Sequence, residues 1–280
     1  MLGSVFRTYF HTALVLLILG LTVLTGCADR RSAASVLAAG AGFQPVRFDG
    51  GEFVLAGYIR GGGAPVLTAY IEGDGLAWVS RYVLSDDPTP GHPVGLELAV
   101  ADPSPSVLYL GRPCQYVMPP DDRGCSPKYW SSHRFAPEVI VAVNRAIDQA
   151  KVRTGAVRVV LVGYSGGGDV AVLAAAARSD VAALATVAAP IDHGAWTRMH
   201  NVSPLTGSLN PVDAAAGLAA MPQLHFVGGD DDIVPPAIIK DFLAHQGPAG
   251  INRLMVVPGV GHHCCWAERW PQLRRLVLQP

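Results

Sequence analysis

From residue 47 to the end, short apolar runs rich in β-branched residues alternate with segments of helical period. "VRFDGGEFVLAGYIR" reads as a hairpin turning at Asp49-Gly50-Gly51, and "APVLTAYIEGDG" as a buried strand ending in a glycine turn. "HPVGLELAVA" is a brief helix stopped by Pro103 and Pro105, and "SVLYLG" is another strand. In "PEVIVAVNRAIDQAKV" the residues Val139, Val143, Ile147 and Ala150 recur at helical spacing. Val157 to Val162 form a strand followed by an Ala-rich helix, and "VAALATVAAP" is the next strand. After an irregular stretch, 191–222, come the strand "QLHFVGG", the helix "PPAIIKDFLAHQ", the strand "NRLMVVPG" and a last helix, "WAERWPQLRRLVLQ". Strands separated by helices require crossover connections. The expected fold class is α/β, a mostly parallel sheet covered by helices on both faces.

The chain has 280 residues, 50% of them hydrophobic, enough for one sizeable core. Lys and Arg total 21 against 22 Asp and Glu, so no global charge draws the chain to nucleic acid. No internal repeat stands out.

The first 26 residues read as a leader. Arg7 and His11 precede the apolar run "ALVLLILGLTVLT", which is too short for a span of ~20 residues and suits a signal peptide. It ends in "LTGC", which resembles the lipobox of bacterial lipoproteins. That resemblance implies cleavage after Gly26, lipid on Cys27 and anchoring to a bilayer, with the outer membrane facing the periplasm as the expected location. Residues 27–44 are expected to be a tether with at most one loose helix, and 45–280 the folded domain.

An exported chain meets an oxidising compartment. Cys114 and Cys125 bracket a Pro-, Asp- and Gly-rich loop and are the expected disulfide. Cys264 and Cys265 are adjacent. A bond between neighbours is strained, so pairing elsewhere or the reduced state is expected. "HHCC" lacks the ligand spacing of a zinc site, and no metal or cofactor is expected.

"GYSGG" matches Gly-x-Ser-x-Gly between a strand and a helix, the context of a nucleophile elbow with Ser165 at its tip. A serine hydroxyl needs a base. His262, in "VPGVGHHCCW", follows the last strand on a glycine-rich loop, and its neighbour His263 is the alternative. The base needs a carboxylate. In "FVGGDDDIVPP" the choice is Asp231, with Asp230 and Asp232 as flanking loop residues and Asp192 of "APIDHGAW" as the rival. The order Ser165, Asp231, His262 resembles that of the α/β-hydrolase family, and the resemblance covers about residues 45–280. The blocks "YIEGDG" and "GRPCQY" also resemble those of a group of bacterial hydrolase-like proteins.

That resemblance implies an oxyanion hole from the backbone amides of Gly166 and Asp74, the latter in "IEGDGLAW". Glu72 stands where the family often has His, and a carboxylate beside an oxyanion opposes catalysis unless it is tied down or turned away. "LGRPCQY" is a competing donor loop, although Pro113 has no N–H. Residues 191–222 occupy the place of a lid and make a small cap, with Trp78, His193 and Trp196 as pocket walls. The expected function is a serine hydrolase acting on a small-molecule ester, thioester or amide. The alternative is a non-catalytic cell-envelope protein on the same scaffold.

Overall fold

The computed structural model describes residues 29–248 and 253–277. The expected leader and Cys27 lie outside the described residues.

The chain opens with α1 (Arg30–Gly40), then the hairpin β1 (Gln44–Asp49) and β2 (Val54–Gly61), and β3 (Val66–Ile71). A small hairpin follows, β4 (Trp78–Ser80) with β5 (Val83–Leu84), then α2 (Val94–Val100) and β6 (Ser106–Leu110). After α3 (Pro137–Thr154) come β7 (Arg158–Tyr164), α4 (Gly166–Ala176), β8 (Val181–Val187) and α5 (His193–Met199). The chain continues with β9 (Gln223–Gly228), α6 (Pro236–Ala244), β10 (Leu254–Val257) and α7 (Trp266–Val277).

Eight strands form one sheet in the order β1-β2-β6-β3-β7-β8-β9-β10. β2 is antiparallel to both β1 and β6, and the remaining pairs are parallel. The period-two rule divides the core into two layers. Val159 and Leu161 of β7 join a cluster with Val139, Val143 and Ile147 of α3 and Phe242 of α6. Val160 and Val162 join the opposite cluster, with Leu96 of α2 and Trp266 and Trp270 of α7. α4 is buried from Gly166 through Ala175. Its small side chains let it lie close to the sheet: a side chain at Gly163 would run into the backbone of Gly167 and Gly168.

α7 is tied down by a buried polar chain as well as by its two tryptophans. Trp270 Nε1 donates to Tyr70 Oη (2.8 Å), Tyr70 donates to Asp102 Oδ2 (2.7 Å), and Arg274 Nε lies 2.6 Å from Asp102 Oδ1. A fully buried Trp contributes well over 2 kcal/mol on area alone, so α7 and the loop before it are firmly seated.

Two expectations need correction. Residues 30–40, expected as a tether with at most one loose helix, form a helix that is packed on the domain. Ala34 and Ala38 are buried, Ser35 Oγ bonds Tyr58 Oη (2.8 Å), and Arg31 pairs with Asp87 (2.8 Å). The small-residue face of "SAASVLAA" fits it closely against the core. Cys264 and Cys265, expected to avoid each other, are joined by a disulfide. Cys265 takes a left-handed backbone (φ 74°), and the other pair, Cys114–Cys125, is already joined, with Cα atoms 5.5 Å apart. No other partner is therefore left among the described cysteines.

Candidate functional site

β7 delivers Ser165 to the carboxyl edge of the sheet. The chain reverses there from strand to helix within a few residues, which forces Ser165 to φ 49°, ψ −131°. For a non-glycine residue that is a strained conformation. Two backbone bonds hold it: Ser165 N donates to Val187 O, and Gly168 N donates to Ser165 O, both at 2.8 Å. The hydroxyl stands at the positive end of α4.

His262 sits in the loop between β10 and α7. Its carbonyl oxygen accepts from Tyr164 Oη (3.0 Å) and Trp266 Nε1 (3.1 Å). Its Nε2 lies 3.1 Å from Ser165 Oγ, and its Nδ1 lies 2.9 Å from Asp231 Oδ2. Asp231 is buried, whereas Asp230 and Asp232 are exposed. Its other oxygen accepts from the amides of Ile233 (2.9 Å) and Val234 (2.7 Å). The loops carrying Asp231 and His262 are zipped together by Gly229 N to Val257 O (2.8 Å) and Asp230 N to Val260 O (3.0 Å).

The alternatives lie elsewhere. Asp192 caps α5, accepting from Ala195 N and from Asn210 Nδ2, each at 3.0 Å. Burial opposes its charge, but the bonds from Asn210 and Ala195 outweigh burial and hold its pKa below the usual carboxylate value. His263 turns its Nδ1 to Tyr164 Oη (3.1 Å), and burial followed by the neighbouring His262 pushes its pKa down.

The segment after β3 runs beside the serine: a side chain at Gly73 would come within 3.2 Å of Ser165 Cβ. Neither acidic residue of this segment is loose. Glu72 is buried and accepts from the amides of Gly73 (2.9 Å), Gly95 (3.1 Å) and Leu96 (3.3 Å) and from Tyr109 Oη (2.9 Å). Burial raises its pKa, and these four donors oppose the rise. The Asp74 carboxylate pairs with Arg112 (3.3 Å) and with Arg134. Burial works against its charge, but the two guanidinium groups win and the pKa is lowered. The same carboxylate packs so closely on Gly166 that any side chain there would collide with it.

Sequence reasoning missed Arg112 and Arg134. "LGRPCQY", weighed as a donor loop, is a clamp instead. Gln115 Nε2 donates to Gly73 O (2.9 Å), Arg112 reaches Asp74, and Cys114 ties the loop to Cys125. Arg134 has no motif around it, and only the tertiary structure brings it to Asp74.

His193 and Trp196 line a small space of about 30 Å³ beside Ser165, together with Asp74, Arg134 and Phe135. Trp78 is not part of it. Trp78 lines a larger cleft of about 770 Å³, which meets the small one at Arg134, Trp196 and Leu205. Trp196 is positioned by its Nε1 bond to Ile233 O (2.8 Å) and His193 by Leu209 O (3.1 Å). Among the described residues no cluster of His, Cys, Asp or Glu is arranged to hold a metal ion, and no helix is long and apolar enough to cross a membrane.

No family model and no curated protein matches this chain. Solved structures do. An α/β serine hydrolase without lid from Xanthomonas campestris is similar at 15% identity and TM-score 0.52, over 84% of this chain and 92% of that one. Est1E from Butyrivibrio proteoclasticus is similar at 14% identity and TM-score 0.54, over 84% and 98%. A puromycin-hydrolyzing peptidase from Mycobacterium tuberculosis is similar at 18% identity and TM-score 0.56, over 84% of this chain but 37% of that one. With its mostly parallel eight-stranded sheet flanked by helices, the chain has the fold of the α/β serine hydrolases.

Proposed function

We propose that this protein is a serine hydrolase that cleaves an ester, thioester or amide, a carboxylic ester by preference, through an acyl-enzyme. One observation carries the reading: Ser165 Oγ, His262 and Asp231 form a continuous hydrogen-bonded chain of 3.1 and 2.9 Å. In this reading Ser165 Oγ attacks the carbonyl carbon while His262 Nε2 takes the hydroxyl proton. Asp231 accepts from Nδ1–H, fixes the tautomer and stabilises the imidazolium. The amides of Asp74 and Gly166 stabilise the oxyanion. His262 returns the proton to the leaving group, then activates the water that releases the acyl group.

The non-catalytic alternative rested on Glu72 and Asp74, and the hydrogen bonds that hold both carboxylates favour the enzyme. The experiment is labelling with a fluorophosphonate probe. Wild-type protein should be labelled and Ser165→Ala should not; unlabelled wild type would sink the proposal. We also infer export and lipid anchoring at Cys27, which "LTGC" and the cysteine pairs support.

A further inference from the structure

The cleft beside the small pocket has a chemical character of its own. Trp78, Tyr82, Leu84, Trp196, Pro204 and Leu205 make its apolar wall. Two arginines, Arg81 and Arg134, also line it, and among the described residues no carboxylate does. Arg134 stands at the junction with the space that holds Ser165.

The positive charge is not fully offset. Arg112 and Arg134 share the single carboxylate of Asp74. The next carboxyl, Asp169, is buried with both oxygens unpartnered among the described residues, and burial pushes its pKa up while Arg112 and Arg134 oppose the rise. Arg81 projects from the β4–β5 turn, lies 5.9 Å from the centre of the Tyr82 ring, and has no carboxylate within ion-pair distance among the described residues. Arg81, Tyr82 and Trp78 are exposed, so this charge meets an incoming anion at an open, solvated aromatic wall. Guanidinium groups suit planar carboxylates.

We propose that this cleft binds a ligand with an apolar, ring-sized body and a terminal carboxylate, the body lying along Trp78 and Trp196 and the carboxylate meeting Arg81 and Arg134. That names the substrate class of the hydrolase proposed above and rests on it for turnover. Binding itself does not need Ser165.

The test is a titration of tryptophan fluorescence in the full chain and its Ser165→Ala variant. The ligands are 4-phenylbutyrate, its neutral amide and the matching 4-phenylbutyl ammonium ion. The carboxylate should bind about tenfold more tightly than the amide, with the ammonium ion weakest, as for charge-assisted contacts to guanidinium groups. Arg81→Glu should abolish the preference. Arg158→Glu makes the same change in net charge at the exposed start of β7, the strand end opposite Ser165, and should preserve it. Equal binding of the three ligands, no binding at millimolar concentration, or an equal loss in Arg158→Glu would overturn the proposal. Fluorophosphonate labelling of the same samples separates the two readings. Protein that keeps the carboxylate preference but is not labelled retains the anion site and loses the hydrolase.

Discussion

Asp231 and His262 meet at 2.9 Å, and the carboxylate oxygen that does not face the imidazole is held by the amides of Ile233 and Val234. The acid is therefore fixed by its own loop before it touches the histidine. Asp231→Asn keeps the size of the side chain but puts a donor where Nδ1–H needs an acceptor. Turnover of an ester should fall by up to ~10⁴-fold, the scale seen for the equivalent change in a serine protease. Asp230→Asn, Asp232→Asn and Asp192→Asn should cost far less. The check is kcat on one ester for all four variants; a crippled Asp192→Asn beside a normal Asp231→Asn would move the acid to the earlier strand.

Glu72 holds the segment after β3 by accepting from three amides and a tyrosine. Glu72→Gln places an amide NH₂ against those donors, leaving at least one buried group unsatisfied. A loss of about 1–3 kcal/mol in unfolding free energy is expected. The Asp74 amide should shift with the segment, lowering kcat more than it raises KM. Denaturant unfolding and steady-state kinetics on the same variant check both; unchanged stability would remove Glu72 from this role.

His225 is fully buried, accepting from Thr186 Oγ1 at Nδ1 (2.9 Å) and donating from Nε2 to Gln223 Oε1 (3.0 Å). Burial, with Arg253 adding to it, pushes its pKa down to about 3 from 6.5. The unfolded chain therefore takes up a proton below pH 6.5 that the folded chain refuses. That contribution costs stability by about 1.4 kcal/mol per pH unit as pH falls from 6.5 toward 3, and is absent above 6.5. His225→Gln should be less stable than wild type at pH 7, with a deficit that shrinks at pH 5 and 4. Chemical denaturation at the three pH values measures it, and a constant deficit would contradict the linkage.

Cys114–Cys125 closes a loop with a sequence separation of 11. In the chain-entropy view, removing it costs roughly 3 kcal/mol. Cys114→Ser with Cys125→Ser should unfold earlier, and should also lose activity because the loop carries Gln115 and Arg112. Thermal melts with and without reductant, together with peptide mapping, decide this; free thiols at both positions in exported protein would rule it out.

Lipid on Cys27 should carry the mature chain into the membrane fraction. Cys27→Ser should block processing and change that partitioning. Fractionation with metabolic labelling by a fatty acid reads both, and a variant processed and retained as before would exclude the anchor.

The order of elements was legible because strands and helices differ in hydrophobic period, and runs such as Val159–Val162 end at a glycine that a sharp turn needs. The candidate serine was legible for the same reason: Gly163 and Gly167 mark a strand folding abruptly into a helix. The candidate acid and base were legible as residues at strand ends. The choice of Asp231 among three adjacent aspartates came from its spacing in the loop, and the structure adds the physical reason, the amides of Ile233 and Val234 that hold its carboxylate. Tertiary structure alone decided the surroundings. The amides of Gly95 and Leu96 hold the Glu72 carboxylate, Arg134 reaches Asp74 across sixty positions of chain, and α1 docks by two alanines with no motif to announce the docking. Local pattern records backbone periodicity and turn strain. Charge compensation between distant residues leaves no periodic trace, because it depends only on where the folded backbone brings the side chains.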